Sequence, residues 1–407
     1  MKVLKPLIAL LVLYSTQIFA QEKYDNLENY LSKDKQDYYK LEREKTKSSS
    51  DKLRNSWISP VMLNYNYGVS GAYDADTVTK KTSITIDQPI FQSGGIYFGI
   101  KFAEASRTYS KYSVDVAKRK LIKDAISLLM QIKQSDMNIK KQQLLIKNSE
   151  ISLAQKKEDY LNGQLDSGFL NSAIIDRNVV IQALFDIEAS KERAVSKFCT
   201  ISDLSYQDAI LPHLELISED KFLANNISYK LSKSLTEKNR YAKNITTSKY
   251  LPSINVYGGY NWDKIENLNF GGVTMGGGST DYANYGFKIS MPLNINSSDD
   301  IQTAKLEYLE SKILETDKKR ELSAMFEQVM QNIESFQKKK QLSIENIDMY
   351  SELLLDTKEL YKAGYKTQYD VEILENSVEI ARLNSMIFDL DKQLELLSLY
   401  EMYTDEV

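Results

Sequence analysis

Four stretches of the chain alternate apolar and polar residues with a period of two. Val61, Leu63, Tyr65, Tyr67, Val69 and Tyr73 alternate with Met62, Asn64, Asn66, Gly68, Ser70 and Ala72. Ile84, Ile86 and Ile90 alternate with Ser83, Thr85, Asp87 and Pro89. Ile254, Val256, Gly258, Tyr260 and Trp262 alternate with Ser253, Asn255, Tyr257, Gly259 and Asn261. Tyr285, Phe287, Ile289, Met291 and Leu293 alternate with Asn284, Gly286, Lys288, Ser290 and Pro292. A period of two puts one set of side chains on each face of a strand. Strands are therefore predicted at about 58–73, 80–90, 253–263 and 283–293, each with one apolar and one polar face. Runs of this length suit a tilted strand that crosses a bilayer, and Tyr and Trp near their ends suit its interface. A soluble antiparallel sheet packed on a helix gives the same alternation.

Between these stretches the pattern changes to that of helix. Residues 100–162, 293–363 and 365–407 contain no Gly or Pro. Such tracts, rich in Leu, Lys, Glu, Gln and Ser, read as helix. The two longest would extend roughly 95–105 Å at about 1.5 Å per residue. Helices of that length have to pack as long hairpins or coiled coils. Leu383, Ile387, Leu390, Leu394 and Leu397 step by four and three, and Val329, Ile333, Phe336, Ile347, Tyr350 and Leu354 keep one register. A filamentous rod would share this pattern but would have no use for the strands. Four strands cannot close a barrel, since closure takes about eight or more. Their edges must therefore be paired by other copies of the chain, and three copies would supply twelve strands.

The order of elements occurs twice. Asp87-Gln88-Pro89-Ile90 is echoed by Ser290-Met291-Pro292-Leu293, and Tyr160-Leu161-Asn162-Gly163 by Tyr361-Lys362-Ala363-Gly364, about 200 residues later. The expected organisation is a leader at 1–20, a first structural repeat at 21–212 and a second at 213–407. Each repeat would hold a helix, two strands and a helical hairpin, with hairpin tips at about 160–170 and 361–370. The leader reads from basic Lys2 and Lys5, an apolar core from Leu7 to Tyr14 and small residues up to Ala20. Its core is too short to span a bilayer, so it is expected to be a removable secretory signal.

Composition narrows the function classes. The formal net charge is −4, which argues against a general nucleic-acid binder. Cys199 is the only Cys and His213 the only His, so an intramolecular disulfide and a His/Cys zinc cluster are both excluded. No nucleophile elbow, P-loop or metal-ligand cluster appears, so neither an enzyme nor a cofactor is expected. The glycines between 271 and 278 lack a following Lys-Ser/Thr and helix, and read as a flexible loop between the third and fourth strands.

With these residues in view, nearly all of the mature chain resembles the TolC-like outer-membrane efflux family. The second tip is the most specific part. Tyr361-Lys362-Ala363-Gly364-Tyr365-Lys366 followed by Asp370-Val371 is similar to the family's Tyr-x-x-Gly-x-basic…Asp-Val tip. The resemblance implies a mainly α protomer with a transmembrane β-barrel part. Long antiparallel helical hairpins would form an α-barrel across the periplasm, and four strands per protomer would complete a twelve-stranded barrel in a homotrimer. It implies a passive exit duct in the cell outer membrane, serving tripartite efflux or type I secretion with a periplasmic adaptor and an inner-membrane pump or transporter.

It further implies a periplasmic gate at the tips, for which Tyr361, Lys366 and Asp370 match the motif. Asp166, Glu372 and Glu375 are candidates where this sequence departs from it, with Phe169 and Ile373 at two positions where the family often has acids. Solvated helix-end charge for Lys366 and Asp370, and helix packing for Tyr361, are the alternatives to a gate. Leu63, Tyr65, Tyr67, Ile84, Ile86, Val256, Tyr260, Phe287 and Ile289 are expected to face outer-membrane lipid. A periplasmic adaptor also carries a long hairpin, but would be expected to have one hairpin and several small β domains.

Overall fold

A computed structural model describes residues 26–71, 77–266, 268–270, 273–275 and 277–404. The leader expected at 1–20, and Ala72, Tyr73, Gly271, Gly272 and Gly276, lie outside the described residues. The helices are α1 (Lys33–Arg54), α2 (Gly95–Leu161), α3 (Ser167–Cys199), α4 (Glu219–Ala224), α5 (Ile227–Lys249), α6 (Ser297–Lys362) and α7 (Gln368–Met402). The strands are β1 (Met62–Ser70), β2 (Thr77–Phe91), β3 (Ser253–Glu266), β4 (Leu268–Phe270), β5 (Val273–Met275) and β6 (Gly278–Ser290). The chain divides into two compact units.

One unit comprises 42–113 and 229–318 and holds the sheet. Its four long strands are antiparallel in the order β1-β2-β3-β6. The register shifts once, between Pro89 and Phe91, where Pro89 has no N–H to give to the ladder. β4 and β5 pair with each other. The Gly-rich stretch expected to be a loop therefore contains a short hairpin, with β3 running on to Glu266 and β6 starting at Gly278. Helical packing in this unit uses small residues and hydroxyls. Ala103 is fully buried and its carbonyl accepts from Ser50 Oγ at 3.1 Å, while Thr236 Oγ1 donates to the Ser311 carbonyl at 3.1 Å.

The other unit takes in 1–41, 114–228 and 319–407. Its core is mainly apolar: Ile126, Leu129, Met130 and Ile132 of α2, Phe198, Phe222, Leu322, Leu396 and Leu399 are all buried. The rings of Phe222 and Phe326 lie 5.7 Å apart. Polar contacts set the helix registers. Gln142 Nε2 donates to the Val180 carbonyl between α2 and α3, and Asn376 Nδ2 donates to Asn148 Oδ1 between α7 and α2. Lys340 pairs with Asp389 between α6 and α7. Gln134 Nε2 donates to Asp391 at 2.7 Å, while burial pushes that carboxyl up from its ordinary pKa. Among the described residues no helix is long and apolar enough to cross a membrane.

Candidate functional site: a two-faced sheet and two hairpin tips

Residues directly opposite each other in an antiparallel ladder project to the same face. The register therefore assigns every side chain of the sheet. Leu63 faces Ile84, Ile84 faces Tyr260, Ile86 faces Gly258, and Val256 faces Phe287. Tyr65, Tyr67 and Ile289 fall on the same side. All nine residues expected to meet lipid thus share one face, and all nine are exposed, Leu63 to 72% and Phe287 to 71%. The rings of Tyr260 and Trp262 lie 4.6 Å apart within it, inclined at 53°. The opposite face carries Asn64, Asn66, Ser83, Thr85, Asp87, Asn255, Asn261 and Asn284. Here Asn255 Nδ2 donates to Asp87 at 2.8 Å and Asn261 Nδ2 to Asn284 at 3.3 Å. An apolar face turned outward with a hydrogen-bonded face behind it reverses the usual soluble sheet, whose apolar side is covered.

The two tips are built alike. Gly163 and Gly364 take φ values of +74° and +81°, the left-handed region that ends a helix without a Cβ penalty. Gly163 N donates to the Tyr160 carbonyl and Gln164 N to that of Asp159; Gly364 N donates to Tyr361 and Tyr365 N to Leu360. These are paired Schellman bonds at the ends of α2 and α6.

The following caps differ. Asp166 is the N-cap of α3 and accepts from Gly168 N at 2.6 Å. At α7 the N-cap is Thr367, whose Oγ1 accepts from Asp370 N, while Asp370 Oδ2 accepts from Thr367 N and Oγ1, both at 2.9 Å. The Thr367 N–H, and after it the Thr367 hydroxyl and the Lys366 charge, hold the Asp370 carboxyl below its ordinary pKa.

The remaining tip candidates are spread along the hairpin. Glu372 accepts from Gln368 Nε2 at 3.0 Å. Glu375 is 2.6 Å from Lys358 Nζ and ties α7 to α6. Tyr361 stands exposed one turn before Gly364, and Phe169 is exposed in the first turn of α3. Lys366 and Asp370 are thus brought together, whereas Asp166 belongs to a separate turn. Thr367 was missed by sequence reasoning, although Thr three residues before Asp is a capping-box signal. Among the described residues no cluster of His, Cys, Asp or Glu could hold a metal.

No protein-family model and no curated protein sequence matches the chain. Solved structures do. The Campylobacter jejuni CmeC outer membrane channel superposes with a TM-score of 0.71 at 12% identity, over 95% of this chain and 87% of that one. The outer membrane protein VceC of Vibrio cholerae gives 0.70 at 13%, over 94% and 97%. The open-state MtrE outer membrane channel of Neisseria gonorrhoeae gives 0.65 at 13%, over 94% and 88%. The chain therefore has the fold of the TolC-like outer-membrane channels, with the sheet left open in the single copy.

Proposed function

We propose that three copies of this chain form an outer-membrane channel, a passive exit duct with no chemistry of its own. The observation that carries this reading is the two-faced sheet with two free edges. β1 and β6 are its outermost strands, and an open edge needs a partner strand. Pairing β6 of one copy with β1 of the next would give a closed twelve-stranded barrel. Its apolar face would meet lipid, and its Asn, Ser and Thr face would line water. The helical hairpins would lie in the periplasm. The tips, with Tyr361, Lys366, Asp370, Asp166, Glu372 and Glu375, would form its gate and the landing surface for a periplasmic adaptor coupled to an inner-membrane pump or transporter. Such an assembly serves tripartite efflux or type I secretion. The leader at 1–20 would bring the chain to that compartment.

The test is fractionation followed by mild-detergent electrophoresis. The mature chain is expected in outer membranes and to migrate as a trimer. Recovery as a soluble periplasmic monomer would overturn the reading.

A further inference from the structure

At the end of the sheet away from the helices, the apolar face gives way to charge. Lys80 of β2 and Lys264 of β3 stand directly opposite each other, with Tyr67 beside Lys80 in the same row. The adjacent row toward the helices is Tyr65, Thr82 and Trp262. Lys80 Nζ lies 3.0 Å from Glu266 Oε2, and Lys264 Nζ lies 2.5 Å from Glu266 Oε1. Two ammonium groups thus converge on one carboxylate, and all three side chains share the face of Leu63, Ile84 and Tyr260. Among the described residues, the other charge close by on that face is Asp281, which accepts from the Tyr260 hydroxyl at 2.5 Å. The Lys81–Asp263 pair belongs to the opposite face.

The height of this cluster follows from the strand. From Ile254 to Lys264 the chain advances roughly 33 Å along β3 at about 3.3 Å per residue. At a barrel tilt of about 40° that is roughly 25 Å along the membrane normal, the height of the apolar band of a transmembrane barrel. If Ile254 and Ile289 stand at the helix-side edge of the band, then Tyr65, Tyr260 and Trp262 form its far aromatic girdle. Lys80 and Lys264 then stand at headgroup level, facing lipid.

We propose that Lys80, Lys264 and Glu266 form a binding site for the phosphate of an outer-leaflet lipid headgroup. The proposal rests on the membrane-facing reading of the sheet given above. The two lysines supply the charge-assisted hydrogen bonds a phosphate takes. Glu266 occupies the anion position when no lipid is bound and competes with the lipid for it. The acyl chains lie on Leu63, Ile84 and Tyr260, so a lipid engages both parts of the site and a free phosphate only one.

The experiment uses the full protein with Trp57→Phe, which leaves Trp262 as the sole tryptophan. It is reconstituted in vesicles of phosphatidylcholine mixed with increasing phosphatidylglycerol, one or the other carrying brominated chains. Quenching of Trp262 then gives the relative affinity of the two lipids beside it. The expected preference for phosphatidylglycerol is about fivefold per lysine. Lys80→Gln with Lys264→Gln brings the ratio to about one, and Glu266→Gln raises it above that of the intact cluster. A ratio of one with both lysines present, or a ratio untouched by these substitutions, overturns the inference while leaving lipid contact intact. A preference erased by inorganic phosphate but not by chloride of equal ionic strength makes this a free-phosphate site and also overturns it. No quenching by either lipid sinks the membrane reading and this inference with it.

Discussion

Leu129 of α2 and Leu63 of β1 are the same side chain in opposite situations. Leu129 is fully buried, and Leu63 is 72% exposed. In the helical unit the apolar residues are covered by the chain itself, in a core with Ile126, Met130, Leu396 and Leu399. On the sheet they stay largely exposed. Burial of apolar surface stabilises a fold only when something apolar lies opposite. The helical unit carries its own solvent-excluded interior, and the sheet depends on its surroundings to supply one. A lone copy of the sheet in water would expose a continuous apolar patch, which soluble monomers avoid.

The largest expected effect separates these two leucines. Leu129→Ala should destabilise the protein by roughly 2–5 kcal/mol, the range for a buried leucine whose removal leaves a cavity. Leu63→Ala, which opens no cavity, should change stability by less than about 1 kcal/mol. Thermal unfolding in one detergent measures both. Equal losses would mean that Leu63 is covered by another part of the assembly.

The next effect reverses the order. Leu63→Arg or Phe287→Arg should prevent stable insertion, since a cation at the bilayer midplane costs roughly 2–4 kcal/mol on the lipid face of a barrel. Asn64→Arg, one residue away on the polar face, should insert normally. Heat-modifiable mobility after refolding into vesicles reads all three. Equal damage from Leu63→Arg and Asn64→Arg would erase the distinction between the faces.

A smaller effect belongs to the second tip. Thr367→Ala removes the N-cap of α7 and should cost about 1 kcal/mol locally. Amide exchange in the first turn of α7 reports it. The capping box also has a pH signature. The folded Asp370 carboxyl is held below its ordinary pKa, so its contribution is complete above the unfolded value of about 3.9. That contribution disappears as pH falls through the lower folded value. Asp370→Asn should flatten this acid limb of the exchange profile, whereas an unchanged profile would assign it to another carboxylate.

The last prediction concerns flow rather than stability. Tyr361→Phe combined with Lys366→Ser should raise single-channel conductance in planar bilayers. Asp370→Ala should weaken block by multivalent cations added on the helical side. If neither changes, the constriction is elsewhere, and Phe169 on the first tip becomes the next target.

The local reading went far because its signals are local. Leu63, Tyr65 and Tyr67 declare a strand face by spacing alone. The Gly-free tracts declare α2 and α6, whose observed bounds are Gly95–Leu161 and Ser297–Lys362. The same reasoning stopped β3 short of Glu266 and left Leu268–Phe270 and Val273–Met275 in a loop. Those segments sit among glycines, where a propensity signal is weak and pairing decides the outcome. Asp370 stands out by its match to the tip motif. Its bonds to Thr367 are equally legible, because a capping box spans only four residues.

Periodicity is legible along the chain alone: which residues share a face, where helices can run unbroken, and where glycine must turn the chain. These depend on neighbours within a turn or two. Contacts between distant segments belong to the folded chain as a whole. β2 pairs with β3 at the middle of the sheet in a register that sets Ile84 beside Tyr260. That register also brings Lys80 to Glu266, 186 residues away, where Lys264 already stands two residues along the same strand. A one-residue slip would send each of these side chains to the other face, because the strand period is two. The pattern of each strand fixes its own faces, but pairing between distant strands depends on the free energy of the whole sheet, which no single segment encodes.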